Sequence, residues 1–338
     1  LGILDASTLG KIDIQGPDAR ELLNRVYTNS WKKLPVGQCR YGLMCGEDGM
    51  VIDDGVTACL AENHYLMHTT TGGAGRILEW LELWHQTEWP ELKVFFNSVT
   101  DHWVTASISG PKARKLLSEL TDTPLSNSDF PFMHFRSAPV AGIPARIYRV
   151  SFTGELTYEI NVQAGYGLKL WETLIETGRK YEITPFGTEA MHVLRAEKGF
   201  IIVGQDTDGS VTPFDLGMNW AVNKKKPFSF VGKRGMARED CVRPDRKQLV
   251  GLLPYDHGLV LKEGSQLVVN PDTKQPTPMH GHVTSSYYSP SMERGFALAL
   301  VKAGRERIGE TLYAAELSGA YAARICEPIF YDKVGDRQ

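Results

Sequence analysis

Three groups of side chains in this chain have the types and spacing for chemistry. The first is the adjacent pair Asp53 and Asp54 in GMVIDDGVTAC, Gly49 to Cys59, which reads as a short strand entered through a glycine. Side chains on a strand point alternately to opposite faces. Ile52, Asp54, Val56 and Ala58 therefore share one side, and Val51, Asp53, Gly55 and Thr57 the other. Asp54 falls in the more apolar row, where a carboxylate loses hydration and needs a partner, a raised pKa or a ligand. Such a residue is either a functional acid or a structural cap or ion-pair partner, and the pattern leaves both open. The second group lies in SFTGELTYEINV, Ser151 to Val162. There Leu156, Tyr158, Ile160 and Val162 form an apolar face and Thr157, Glu159 and Asn161 the opposite one. On an exposed sheet that row meets only solvent. Over a cavity, Glu159 is placed to accept hydrogen bonds from a heterocycle with adjacent N–H donors. The third group is Glu189, His192 and Arg195, along one side of an expected helix whose Met191 and Leu194 face the core. A polar helix side most often serves solubility alone.

Other motifs narrow the chemistry. The chain has no GxGxxG after a strand, no GxxxxGK[ST], no HExxH and no GxSxG, so the signatures of nucleotide cradles, zincins and hydrolase elbows are missing. GQDTDGSVTP offers Asp206 and Asp208, but a calcium loop counted from Asp206 would need its closing glutamate where Gly217 stands. His280 and His282 alternate onto one side of a strand without a third ligand nearby, so no metal is expected. TTTGGAGR, Thr69 to Arg76, brings glycines to a helix start, as a simple turn or as a seat for an anion or ligand.

The elements that must hold these residues can be read from periodicity. IQGPDARELL, Ile14 to Leu23, returns as ISGPKARKLL, Ile108 to Leu117, with seven of ten positions identical. In each, a strand is expected to end at glycine and proline to occupy the first helical turn, which predicts two related strand-turn-helix units. Apolar spacing predicts helices over 76–89, 168–177 and 188–198. From Leu249 onward short apolar runs are broken by Gly, Pro and Asp, the texture of an antiparallel barrel or sandwich, so a boundary is expected near residue 245.

Composition sets the outer limits. The 338 residues are 42% hydrophobic and 23% charged, enough for two or three domains of a soluble globular protein. The net charge is −3 and basic residues are scattered apart from Lys224, Lys225 and Lys226, which argues against nucleic acid or an anionic membrane as partner. The five cysteines, odd in number and without a CxxC pair, fit free thiols in a reducing compartment, and a cytoplasmic location is expected. No apolar run approaches the ~18 residues of a membrane span. The start at Leu1 without methionine suggests a piece of a longer polypeptide.

The segments LDASTLGKIDIQGPDA, YGLMCGEDGMVIDDGV, FTGELTYEINV, LRAEKGFIIVGQDTDGSVTPFDLGMNWAV, FVGKRG and GHVTSSYYSPSMERGFALALVKAGRERIGETLY, in that order along essentially the whole chain, resemble the folate-dependent aminomethyltransferase (glycine cleavage T-protein-like) family. Within it, CGEDGMVIDDGVT and HVLRAEKGFIIVGQDTDG are most similar to the C-terminal region of heterotetrameric sarcosine oxidase alpha subunits. The resemblance implies an α+β fold of two interleaved antiparallel folate-binding subdomains (1–245) and a C-terminal antiparallel β-barrel (246–332), arranged around a central hole. It implies tetrahydrofolate as the bound cofactor. The activity it implies is capture of the imine or formaldehyde made at a flavin as 5,10-methylenetetrahydrofolate. The implied partners are a flavin-bearing beta subunit, small accessory subunits and an N-terminal dinucleotide-binding region of the same polypeptide, so flavin and NAD belong to other parts of the complex. In the family pattern Asp54 matches the key acid beside the reacting edge of folate and Glu159 the glutamate that holds the pterin. Thr70, Phe152 and Trp220 match positions at the folate, and Arg195 lies on the helix near the pocket. The chain departs from the free-standing glycine-cleavage members at Phe152 (usually tyrosine), Thr70 (usually asparagine) and His192 (usually aspartate), and lacks their opening segment. These departures weigh against a lipoyl carrier protein as donor. A free-standing aminomethyltransferase or demethylase, and a non-catalytic folate-binding module, are the alternatives.

Overall fold

The computed structural model describes residues 1–227, 229–272 and 276–338. Alternating apolar residues build two sheets and a barrel. A five-stranded antiparallel sheet runs, in spatial order, through Cys39–Cys45, Val51–Ala61, His64–Thr69, Gly10–Gln15 and Phe95–Ser98. A six-stranded sheet runs through Thr184–Pro185, Gly2–Asp5, Trp103–Ser109, Thr157–Gln163, Ile143–Arg149 and His134–Val140. The first strand of the chain thus inserts into the second sheet, antiparallel to Trp103–Ser109 and parallel to Thr184–Pro185. This exchange interleaves the two halves, as an α+β fold of two entwined units requires.

Each sheet buries one face under helices. Ile12, Ile14, Tyr65 and Met67 pack against Leu22 and Leu23 of helix Ala19–Val26 and Ile77 and Leu81 of helix Ala74–Thr87. Ile108, Tyr158, Ile160 and Val162 pack against Leu116 of helix Ala113–Leu117 and Leu170 and Leu174 of helix Gly167–Gly178. The other faces meet each other through a smaller cluster of Cys39, Ala58 and Leu66 from one sheet and Phe135, Tyr148 and Val150 from the other. The barrel closes through Lys247–Pro254, Arg294–Lys302, Gly281–Ser289, Gln266–Val268, Thr311–Glu316 and Gly319–Cys326, in the stretch where the sequence shows short apolar runs.

The repeated GP turns are real but differ from expectation. Ala19 N donates to Gly16 O at 3.1 Å and Ala113 N to Gly110 O at 2.9 Å, and both glycines are left-handed (φ +136° and +116°). Pro17 and Pro111 lie before the capping residues Asp18 and Lys112, not inside the first helical turn, because each chain is still reversing direction there. The basic run also divides. Lys226 is buried, with Nζ 2.7 Å from both Asn24 O and Tyr27 O, while Lys224 and Lys225 stay outside. All five cysteines are free. Among the described residues no helix is long and apolar enough to cross a membrane.

The two glycines give a graded prediction. A Cβ at Gly16 would run into the Lys93 carbonyl oxygen, whereas at Gly110 the nearest atom, Leu1 Cα, is 3.6 Å away. Gly110→Ala should cost only backbone strain, about 1–3 kcal/mol. Gly16→Ala should cost clearly more, read as the larger fall in urea midpoint; equal falls would contradict the crowding.

Candidate functional site

A cavity of about 1810 Å³ opens between the two sheets, the loop after helix Thr188–Glu197, and the segment around Trp220. Asp54, Thr70, Phe152, Glu159 and Trp220 all line it, as do His68, Tyr41 and His192.

Strand alternation separates the two adjacent aspartates, but the apolar row is the one facing the cavity. Ile52, Asp54 and Val56 line it. The opposite row is the more buried: Asp53 and Thr57 are fully buried, and Thr57 Oγ1 lies 3.0 Å from the Tyr27 hydroxyl. Asp53 is a structural acceptor. Its Oδ1 takes the backbone N–H of Asp54 (2.8 Å) and of Thr70 (3.3 Å), and its Oδ2 the Thr70 hydroxyl (3.2 Å). Thr70 Oγ1 in turn accepts from Gly73 N at 3.1 Å, so this residue ties the strand end to the turn before helix Ala74–Thr87.

Among the described residues the Asp54 side chain has one hydrogen-bond partner from another residue, the Tyr41 hydroxyl, which donates to Oδ2 at 2.6 Å. Burial pushes its carboxyl up to about 7, the Tyr41 hydrogen bond works the other way, and the charge of Asp53 adds to the rise. Tyr41 stands on the neighbouring strand opposite Val56, one same-face step from Asp54. Its ring meets Trp220 at 5.8 Å and 34°. Trp220 is 69% exposed, an aromatic surface at the cavity wall next to the Tyr41–Asp54 pair.

Glu159 occupies the facing sheet. Tyr158, Ile160 and Val162 go to the core, and Glu159 goes to the cavity between Thr157 and Asn161. Among the described residues no hydrogen bond reaches its carboxylate. Burial pushes it up to about 7 against the charge of Lys11. Lys11 is itself fully buried, its Nζ donating to Ser7 O and Leu9 O at 3.0 Å. Phe152 stacks with Phe200 (6.3 Å, 18°) on the same cavity wall.

Arg195 is a correction. It does not line the cavity and is fully buried. Its guanidinium pairs with Asp206 and donates to Phe200 O (3.0 Å), Ser285 Oγ (2.7 Å) and the Tyr287 hydroxyl (3.3 Å). Asp206 also accepts from Thr284 (2.6 Å) and Ser285 (2.7 Å), so the pair fastens the helix and its following loop to the barrel. The polar helix side therefore splits: Arg195 turns inward, Met191 and His192 line the cavity, and Glu189 is exposed. Tyr41 and His68 were missed in the sequence. Counting back from the GEDG hairpin turn would set Tyr41 opposite Gly55; the register shift between Met44 and Cys45 sets it opposite Val56 instead, beside Asp54, and local pattern does not show that shift.

Comparison with known proteins agrees with this architecture. Residues 1–226 match the GCVT N-terminal domain and residues 247–332 the glycine cleavage T-protein C-terminal barrel domain. The chain is 54% identical over its whole length to a sarcosine oxidase subunit alpha of Corynebacterium sp. (strain P-1), of which it covers 35%. It is 30% identical over 98% of its length to an aminomethyltransferase of Symbiobacterium thermophilum, of which it covers 86%. The fold is shared with the crystal structure of glycine cleavage system aminomethyltransferase T from Bartonella henselae (TM-score 0.84, 24% identity, 98% of this chain and 86% of that one). The chain thus spans about a third of the sarcosine oxidase subunits it matches.

Two outcomes follow from the geometry. A carboxyl whose folded pKa lies above its unfolded value holds its proton more tightly in the folded chain. Its favourable contribution is present below about 4 and is lost as pH rises through about 7. Asp54→Asn, which can still accept from Tyr41, should therefore gain stability over wild type by on the order of 2 kcal/mol more at pH 8 than at pH 5. Urea unfolding at both pH values measures the gap, and an unchanged gap would remove the buried acid. Arg195→Met should cost about 3–5 kcal/mol by stranding Asp206, and adding Asp206→Leu should recover part of it; full additivity of the two losses would disprove the coupling.

Proposed function

The chain belongs to the glycine cleavage T-protein family, and from that premise we propose that it is the tetrahydrofolate-binding, one-carbon-transfer region of a sarcosine oxidase-like alpha subunit. The observation that carries the proposal is the pair of carboxyls Asp54 and Glu159, which enter one cavity from facing sheets with no salt bridge to either among the described residues and are raised by burial to about 7. A buried acid without a cation costs free energy that a ligand rich in N–H donors and positive charge would offset. The residues fit such a ligand: Glu159 would accept from the heterocycle, Trp220 and Phe152 supply aromatic surface, and the Thr70 turn closes one side. Bound folate would supply the nitrogens that take up a one-carbon unit, the product being 5,10-methylenetetrahydrofolate.

The protein's own part is electrostatic and prototropic. Near neutral pH Asp54 is poised between its two protonation states, so it can hold or release a proton at Oδ1 while Tyr41 fixes Oδ2. As the anion it stabilises positive charge developing beside it. The one-carbon donor would come from N-methylglycine oxidised at a flavin on a partner beta subunit of a heterotetramer. Flavin, NAD and the dinucleotide-binding region lie outside this chain, and a cytoplasmic setting suits the free cysteines. A second reading, a free-standing aminomethyltransferase, is favoured by the 86% coverage of proteins of that name. It requires one-carbon transfer by the chain without a flavin subunit.

In the complete enzyme oxidising N-methylglycine, Asp54→Asn should retain folate affinity within a few-fold but lower methylenetetrahydrofolate formation at least tenfold, with free formaldehyde appearing in its place. An unchanged product partition would take Asp54 out of the mechanism. Glu159→Ala should weaken tetrahydrofolate binding at least tenfold by calorimetry; an unaltered Kd would end its proposed role.

A further inference from the structure

His68 has no part in the chemistry above, yet it stands at the Glu159 end of the cavity. It is the residue before Thr69 and Thr70 at the end of strand His64–Thr69, and it is 8% exposed. Its Nδ1 lies 2.9 Å from the carbonyl oxygen of Val56 on the neighbouring strand. A carbonyl oxygen can only accept, so Nδ1 carries the proton in this contact and Nε2 is left as a bare lone pair. Among the described residues no hydrogen bond reaches Nε2, and the ring lines the cavity. The ring edge meets Tyr148 at 5.6 Å and 83°, and Tyr148 is the direct cross-strand neighbour of Glu159. The ring is therefore held from two sides, one polar and one aromatic, across from the Glu159 acceptor on the facing wall.

The surroundings keep it neutral. Burial lowers its pKa to about 4; the Val56 hydrogen bond works the other way, while the charges of Lys11, opposite it in register, and Arg146 reinforce the lowering. A neutral imidazole with a fixed tautomer is an acceptor of defined direction throughout the physiological range. Beside it, Glu159 is also an acceptor when ionised. This end of the cavity thus presents acceptors to whatever enters and rewards N–H groups over bare ring nitrogens.

We infer that His68 is a specificity residue that accepts a ring N–H at Nε2 and thereby selects the reduced pteridine over the fully oxidised one. The inference rests on the folate reading above. Reduction of the pteridine places hydrogen on N5 and N8, converting two imine acceptors into donors, while the pyrimidine edge keeps its donors in both forms. An acceptor facing the reducible ring therefore tells the two apart where Glu159, by the reading above, would not. Facing an oxidised ring nitrogen, the Nε2 lone pair would meet another lone pair, and a site built to hydrogen-bond a donor rejects the analogue that lacks it.

The test is the ratio of the Kd of folic acid to that of tetrahydrofolate, measured anaerobically by calorimetry on the full-length protein. Wild type should prefer tetrahydrofolate at least tenfold. His68→Phe, which keeps a ring against Tyr148 and removes the acceptor, should lower that ratio about tenfold or more, while His68→Gln should retain part of it. A binding-independent readout uses 15N-labelled histidine: the His68 signals should report an Nδ1–H tautomer, with no protonation of Nε2 between pH 5.5 and 8. An unchanged ratio in both variants, or an Nε2–H tautomer, overturns the inference and leaves the folate reading standing. If wild type binds neither compound, the folate reading falls and the inference falls with it. If His68→Phe does not fold, His68→Gln and the tautomer decide.

Discussion

The site depends on drawing two carboxyl groups partly out of water without giving either a cation partner among the described residues. Asp54 has a tyrosine hydroxyl and Glu159 a lysine charge acting without contact, and both rise to about 7. Folding alone would select against such an arrangement, since each group destabilises the folded chain above the pH at which it ionises. The remainder of the structure can be read as what is needed to hold them there. Two sheets bury their outward faces under helices and leave their inward faces apart, with only a small apolar cluster joining them. The insertion of the first strand into the second sheet ties the two walls together, so that their separation is fixed by backbone pairing rather than by contacts inside the cavity.

The polar residues divide accordingly into those that position and those left open. Asp53 and Thr70 spend their hydrogen-bonding capacity on the strand end and the turn behind it. Arg195 and Asp206 spend theirs on the junction with the barrel. By contrast, Asp54, Glu159 and His68 retain oxygen or nitrogen lone pairs facing the cavity. Exposure does not separate the two groups, since Thr70 is half-buried like Asp54 and Glu159, and His68 is buried like Asp53, Arg195 and Asp206; the difference is whether partners inside the protein saturate the side chain.

Much of this was legible in the sequence, and the failures have physical causes. Period-two alternation separates Asp53 from Asp54 and turns Glu159 away from the core, because register allows no other assignment once one face is buried. The helices over 74–87, 167–178 and 188–197 and the six barrel strands follow from apolar spacing and Gly/Pro punctuation. Alternation does not reveal which face of a strand meets a cavity. The more apolar row of Val51–Ala61, which carries Asp54, lines the cavity, while the row carrying Asp53 and Thr57 is the more buried. Arg195 was misplaced for a related reason: its partners Asp206, Ser285 and Tyr287 lie 11, 90 and 92 residues away, beyond any local pattern.

The same distance limit explains why His68 carried no signal. In sequence it is an ordinary histidine in an apolar strand, where the commonest role is a satisfied core side chain, and at Nδ1 that is its role. What distinguishes it is a direction, set by Val56 twelve residues earlier on the paired strand and by Tyr148 on the facing sheet. A residue type names the atoms that can accept or donate. Only the pairing of strands fixes which of those atoms has already been used and which is left open to the cavity.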